Sequence, residues 1–598
     1  MSLLTDASLI VTPNGYNKDK LYSVIPNTTL GDMDVSRGSS ATRVNEQKLI
    51  EIARTNLVLY SEQFDNAYWD KFTLGVASAP VVTPNVETAP NGTMTADRVV
   101  FNINGGTASG DISQLGSANF TSVVSITRTQ SVYIKTTDGT TKAFSFVSPI
   151  GTILPITVTS VYQRFTLTST GIISTNQIRL RLRGSASGEV TSTTASIAIW
   201  GAQYEDGSVA TEYIPTVASI RTKFAGITQD GGFALNIPRI DYPPLGGCPS
   251  ILVEPARTNE ISYSEQFDNA AWANNNTIIT ANATATLAPD GTFTADKFIP
   301  NVVNTVHSIY RTTALPSYAY TFSVFAKAGE ETTFSMWLRN ANFGAVFDLS
   351  TGTSTSVYPS IIHKIEPYPN GWYRCSVYDA TAGTTANIYG RTGSTFQGNN
   401  VNGFFIWGAQ AEAGTTVTSY IPTTTAAVPR VDDVIRNLSA TTLIGQTEGT
   451  LFVDVIGTKD RNASAKYMLH ISGSKSIQIL FYANVIDVVS GLIDIYTPYT
   501  SGVNYKVAVC YSNTGNFRMY VNGFKYFEQN DYVPGTFSLL GVGCTTGGIA
   551  PLNSNIKSAI LWKTALTDDQ CILLTGPSFS SYVEMANNFP NTLIYSLQ

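Results

Sequence analysis

Side chains able to recognise a sugar are abundant in this 598-residue chain, and groupings able to break a covalent bond are not. Aromatic rings stack on the apolar face of a pyranose while Asn, Asp, Gln and Arg hydrogen-bond its hydroxyls. Both kinds are plentiful here, with 11% aromatic residues against only 13% charged. The candidates for such a face are Trp337 and Arg339, in the run Trp337-Leu338-Arg339, with Tyr358 and Tyr368. They lie where two copies of an internal repeat differ, and variable segments on a constant scaffold carry specificity. Trp69 and Trp272 hold equivalent positions early in the two copies and read as core or edge-packing residues, as do Trp200 and Trp407. Catalytic residues are not expected. The histidines are three, His307, His363 and His470, and no HExxH, GxSxG or P-loop pattern supplies a nucleophile with its base. Asp432-Asp433 would point to opposite faces of a strand, and Asp568-Asp569 suit a helix start, so both pairs read as structural. The five cysteines lack a CxxC pair and read as reduced core residues, and no Asp-x-Asp-x-Asp-Gly loop is present. Neither a metal nor another cofactor is expected.

The elements that position these residues are announced by the repeat. Arg54-Thr55-Asn56, Tyr60 to Ala67 and Trp69 recur as Arg257-Thr258-Asn259, Tyr263 to Ala270 and Trp272. Both copies close alike, on Ile199 to Gln203 with Tyr213-Ile214-Pro215-Thr216 and on Ile406 to Gln410 with Tyr420-Ile421-Pro422-Thr423. The units are therefore 54–216 and 257–423. Inside them apolar residues alternate, as at Val132 and Ile134, between clusters of Gly, Asn, Asp and Ser, which predicts short half-buried strands and a jelly-roll sandwich for each.

Residues 440–598 lack the repeat but are also predicted β. Tyr505, Val507, Val509 and Tyr511 alternate with other residues, Asn522-Gly523 is a type I′ hairpin signal, and Thr567 caps a short helix. Residues 424–439 form a linker. The segment 1–53 is too short and turn-rich for a large core and is predicted to be extended and dependent on neighbours. Residues 217–256 carry Pro243-Pro244 and Gly246-Gly247, a stiff connector. The whole is expected to be all-β, tandem jelly-roll modules followed by a lectin-like sandwich. A net charge of −6 without a basic cluster excludes a nucleic-acid partner, and no apolar run is long enough to insert in a membrane.

Each repeat opening, with Tyr-Ser-Glu-Gln-Phe-Asp-Asn and a following Trp, resembles the first strand of carbohydrate-binding-module jelly rolls, and Trp-Gly-Ala-Gln resembles their last strand. The C-terminal block, with Tyr520 to Gly523 and Ile556 to Gln570, resembles laminin-G-like and concanavalin-A-like lectin domains. The arrangement with Arg43-Val44-Asn45, Pro238 to Tyr242 and Cys248 to Asn259 is similar to structural proteins of tailed phages, notably crAss-like phages. That resemblance implies a virion-surface protein made in a host cytoplasm, a head or tail fibre or spike attaching to host-surface polysaccharide. It also implies an N-terminal segment that attaches to other virion proteins or drives oligomerisation, with a homotrimer favoured. The alternatives are a capsid or neck decoration protein without sugar binding and, lower, a polysaccharide depolymerase.

Overall fold

The computed structural model describes residues 3–207, 209–312, 319–338, 344–357, 361–379, 385–458 and 464–576, without the side chains of 123–126. Arg339 and Tyr358 lie outside the described residues. The chain is built of antiparallel strands, and Asp568–Thr575 is the single α-helix among the described residues. Thr567 caps it in a reciprocal box with Gln570, as expected from the sequence.

The first module is two five-stranded sheets. One runs in the order Ile153–Val158, Lys142–Val147, Arg179–Arg183, Ile112–Gly116, Asp70–Leu74. The other runs Gln163–Asn176, Phe120–Thr136, Thr194–Asp206, Ala96–Asn102, Ser78–Glu87. Alternation decides the faces. Phe144, Phe146, Leu180 and Leu182 point inward to Phe101, Ile134 and Ile197 in one core, so Arg179, Arg181 and Arg183 point out. The second module repeats the plan with two six-stranded sheets around Phe298, Phe334, Phe347 and Phe404.

The glycine of the closing motif has a backbone reason. Gly201 and Gly408 take φ of 63° and 62° at bulges where two residues oppose one on the neighbouring strand. A Cβ at Gly201 would also crowd the Tyr133 ring at 3.2 Å. Only glycine meets both demands cheaply.

Ten strands of the C-terminal block belong to one hydrogen-bonded sheet of sixteen, the other six coming from earlier segments of the chain. It folds back so that its ends meet, with Ser490 Oγ 3.1 Å from the Tyr532 hydroxyl. Asn522 and Gly523, both at positive φ, make its expected hairpin.

The segment 1–53 does depend on neighbours, and those neighbours are strands of the same chain. Leu9–Asn17 pairs with Ser554–Trp562, Lys20–Ile25 pairs with Leu9–Asn17 and Met33–Ser36, and Met33–Ser36 pairs with Val434–Asn437. Leu9, Val11, Leu21, Met33 and Val35 alternate and enter the C-terminal core. The connector is likewise absorbed, because Ser250–Val253 pairs with Ser554–Trp562 and Ile240–Asp241 with Ser250–Val253. Short segments that cannot bury a face alone complete another domain's sheet instead. Cys248 departs from the core expectation. It is exposed, beside Gly246 and Gly247, while the other four cysteines are buried.

A buried ionic node ties these pieces together. Arg37 Nη1 lies 2.9 Å from Asp433, Arg239 Nη1 lies 2.7 Å from Glu254, and Arg430 Nη1 lies 2.8 Å from Glu254. Arg239 also pairs with Asp433. Ser419 of the second module donates to Glu254 at 2.7 Å and accepts from Arg239 and Arg430. The N-terminal segment, the connector, the second module and the linker all contribute one side chain or more.

Candidate ligand-binding face

The shared motif of the two repeats is consumed by internal hydrogen bonds. Asn56 donates to the carbonyls of Ala202 and Ile214 and accepts from Val58 and Tyr204. Asn259 does the same with Ala409, Ile421, Ile261 and Ala411. Trp69 and Trp272 are 4% and 3% exposed, and their indole N–H groups donate to the carbonyls of Tyr60 and Tyr263 at 2.9 and 3.0 Å. Trp200 and Trp407 donate to Thr95 and Thr294. These rings pack and brace the sandwiches, and none presents a face to a ligand.

A cleft of about 580 Å³ lies between the modules and is lined by Arg54, Asp206, Glu265, Asp268, Asn269 and Asp296 among others. Burial pushes the Asp296 carboxyl up to about 7, against the two backbone N–H groups, of Asn282 and Phe267, that it accepts at 2.8 Å each. Asp97 holds Phe64 and Asn85 in the same way in the first module. Its oxygens are thus engaged in folding a loop rather than poised for proton transfer. Glu265 is raised by burial and by Asp290, opposed by Arg54, and accepts the Tyr420 hydroxyl at 3.0 Å. His307 and His363 are equally engaged, and His470 accepts the Thr546 N–H at Nδ1. His307 lies between the carbonyls of Asn276 and Phe396, His363 meets Ser354, and burial lowers His470 to about 4. Among the described residues no three His, Cys, Asp or Glu side chains converge as a metal site.

A different arrangement occupies the outside of the second module's other sheet, built by three adjacent strands, Ser308–Thr312, Thr385–Gly390 and Thr333–Leu338. Their inward residues, Ile309, Ile388 and Met336, lie in the core. Registry then lines up the outward residues in two rows. Ser308, Tyr389 and Ser335 face one another in the first, and Tyr310, Asn387 and Trp337 in the second. The Trp337 and Tyr389 rings lie 5.5 Å apart at 56°. Asn387 donates its amide to the Trp337 carbonyl at 3.3 Å, which fixes both. Trp337, Tyr310 and Tyr389 are half-buried, so each side chain keeps part of its surface in solvent. The Ser335 hydroxyl has no hydrogen-bond partner among the described residues.

Glycines make room for the indole. Gly344 is registered opposite Trp337, and a Cβ there would come within 2.7 Å of Trp337 Cγ. At Gly393, φ is +78° and a Cβ would lie 3.5 Å from the ring. Three half-buried rings on one rigid sheet face can stack on the apolar face of a sugar ring, while Asn387 and Ser335, 6% and 0% exposed, are buried within that face.

Of the candidates from the sequence, Trp337 is on this face and Tyr368 is not. Tyr368 packs on Phe325 at 5.0 Å and 89°, beside Trp372 and Trp407 on the outside of the opposite sheet, with the module's core in between. Sequence reasoning missed Tyr310, Asn387, Tyr389 and Ser335. Their alternation with Ile309, Ile388 and Met336 was the available signal, but which strands lie side by side is set by long-range pairing.

No protein-family model matches the chain, and no curated protein matches it. Solved structures with partial likeness include the carbohydrate-binding module of a Ruminococcus gnavus sialidase bound to α2,3-sialyllactose, at 14% identity over 23% of this chain and 87% of that one, TM-score 0.21. A tandem carbohydrate-binding module of Paenibacillus barcinonensis Xyn10C matches at 13% identity over 60% and 98%, TM-score 0.19. Mouse laminin α1 LG4–5 matches at 10% identity over 45% and 90%, TM-score 0.15. At TM-scores of this size the fold is established by the chain's own strands and registers, and by these it is all-β, in modules of packed antiparallel sheets.

Proposed function

We propose that the chain is a virion appendage, a head or tail fibre or spike, that attaches to host-surface glycans through repeated weak contacts, one of them the Trp337 face. The observation that carries the glycan part is the outward row of Tyr310, Asn387 and Trp337 with Tyr389 beside it. The virion part is supported by the sequence resemblance alone. Contacts with other virion proteins would use side chains that the N-terminal strands expose, such as Tyr22 and Val24, because the backbone of those strands is paired within the chain. Assembly as a trimer would multiply the face, and linked weak sites gain about 10²–10⁴ in avidity.

A second reading, a decoration protein without sugar binding, is favoured by the buried node, which suits a rigid spacer. A glycan array probed with the full chain and with Trp337→Ala separates the two. Binding lost in the variant supports attachment, and no binding by either protein supports the spacer.

A further inference from the structure

The same address in the first module carries different chemistry. Ser145, Arg181 and Gln114 form one registered row, and Val147, Arg179 and Gly116 the next. Matched strand by strand, these correspond to Ser335, Tyr389 and Ser308 and to Trp337, Asn387 and Tyr310 in the second module. Where the second module places aromatic rings and an amide, the first places guanidinium groups.

Arg179, Arg181 and Arg183 alternate with the core residues Leu180 and Leu182, so all three share the outer face. Glu189 neutralises part of this charge. It pairs with Arg181 at 2.5 Å and Arg183 at 2.8 Å, and these bonds, with one from Ser145, hold its pKa low against burial. Arg179 is left over. Its side chain is half-buried and makes no hydrogen bond or salt bridge among the described residues, Glu189 acting on it only at longer range, and its Nε is sealed from solvent. Gln114, one row away, is only 6% exposed, and its amide is likewise without a hydrogen bond among the described residues. Phe72 is registered opposite Gln114 and is 37% exposed. The nearby acid on this face, Asp70, lies across Gly116 from Arg179 and is within 3.5 Å of the Gln177 amide.

An unpaired guanidinium in a desolvated position, an unsatisfied amide and an exposed ring on one rigid face are what an acidic sugar requires. The fork of the guanidinium matches a planar carboxylate, the amide a hydroxyl, and the ring the apolar face of the sugar. We infer that the outer face of the first module, at Arg179, Gln114 and Phe72, binds a carboxylated sugar unit, with the carboxylate on Arg179. This inference extends the proposed glycan attachment, but it rests on a different module and on different residues.

The test is calorimetric titration of the full chain with carboxylated oligosaccharides, oligogalacturonate and oligoglucuronate, with the methyl ester of the first as its neutral counterpart, and with a sulfated oligosaccharide. Arg179→Met, Gln114→Ala and Trp337→Ala are compared with the parent chain. Esterification and Arg179→Met should each weaken binding at least about tenfold, the effect of losing a charge-assisted bond, while Trp337→Ala leaves acidic-sugar binding within about twofold. An unchanged melting temperature in Arg179→Met shows that the loss is not unfolding. Absence of binding to every carboxylated probe overturns the inference, as does equal binding of the ester, tighter binding of the sulfated probe, or loss in Trp337→Ala with none in Arg179→Met. Failure of the Trp337 face is read separately, from uncharged glycans.

Discussion

Among the tryptophans, those shared by the two repeats brace the sandwiches, and Trp337, present in one repeat only, is half-buried on the outer side of a sheet. The two kinds respond oppositely to substitution. Trp272→Phe removes the N–H that satisfies the Tyr263 carbonyl in a buried setting, so it should destabilise by about 1–3 kcal/mol in urea titration and leave ligand affinity unchanged. Trp337→Ala should do the reverse, with a small stability change and lost binding. Trp337 was legible in the sequence because it lay where the repeats diverge. Tyr389 and Asn387 were not, because their place beside Trp337 is a property of strand order. Tyr368 carried the same divergence signal but sits on the opposite sheet, since alternation reports which residues share a face of one strand and not which sheet that strand joins.

The strands themselves were readable from alternation and turn chemistry, down to the Asn522-Gly523 hairpin and the Thr567 cap. What local pattern could not show was where Leu9–Asn17, Met33–Ser36 and Ser250–Val253 would pair, because their partners lie hundreds of residues away. They occupy the interior of the C-terminal ladder. Deleting residues 1–36 should therefore expose the edges of Ser554–Trp562 and Val434–Asn437, together with Leu451 and Val453 of the core. The expected outcome is an aggregating or molten C-terminal block, seen as lost near-ultraviolet circular dichroism. A block that stays folded and monomeric after this deletion would show that the N-terminal strands are an accessory.

Across the whole molecule, the node of Arg37, Arg239, Arg430, Glu254 and Asp433 makes the modules interdependent. Removing one partner leaves a buried charge unpaired, so Asp433→Asn should cost about 3–5 kcal/mol, measured as a shared shift in the unfolding of the second module and the C-terminal block. The pH response follows. Burial raises Asp433 and Glu254, but the surrounding arginines overcome it and set both below the usual carboxylate range. Carboxylates depressed on folding contribute stability above their unfolded value, about 4, and that contribution fades as pH falls through the folded value. Asp296, raised to about 7, acts in the other direction and removes stability as pH climbs from about 4 towards 7. The parent chain should thus be most stable in mildly acidic solution, and Asp433→Asn should lose much of the acid limb.

The most direct test of the account is binding of the full chain and of Trp337→Ala to an array of uncharged and acidic oligosaccharides, with melting temperature followed in parallel. The parent chain should bind at least one uncharged oligosaccharide, and Trp337→Ala should melt like the parent but lose that binding. Full retention of binding in a folded Trp337→Ala chain would contradict it.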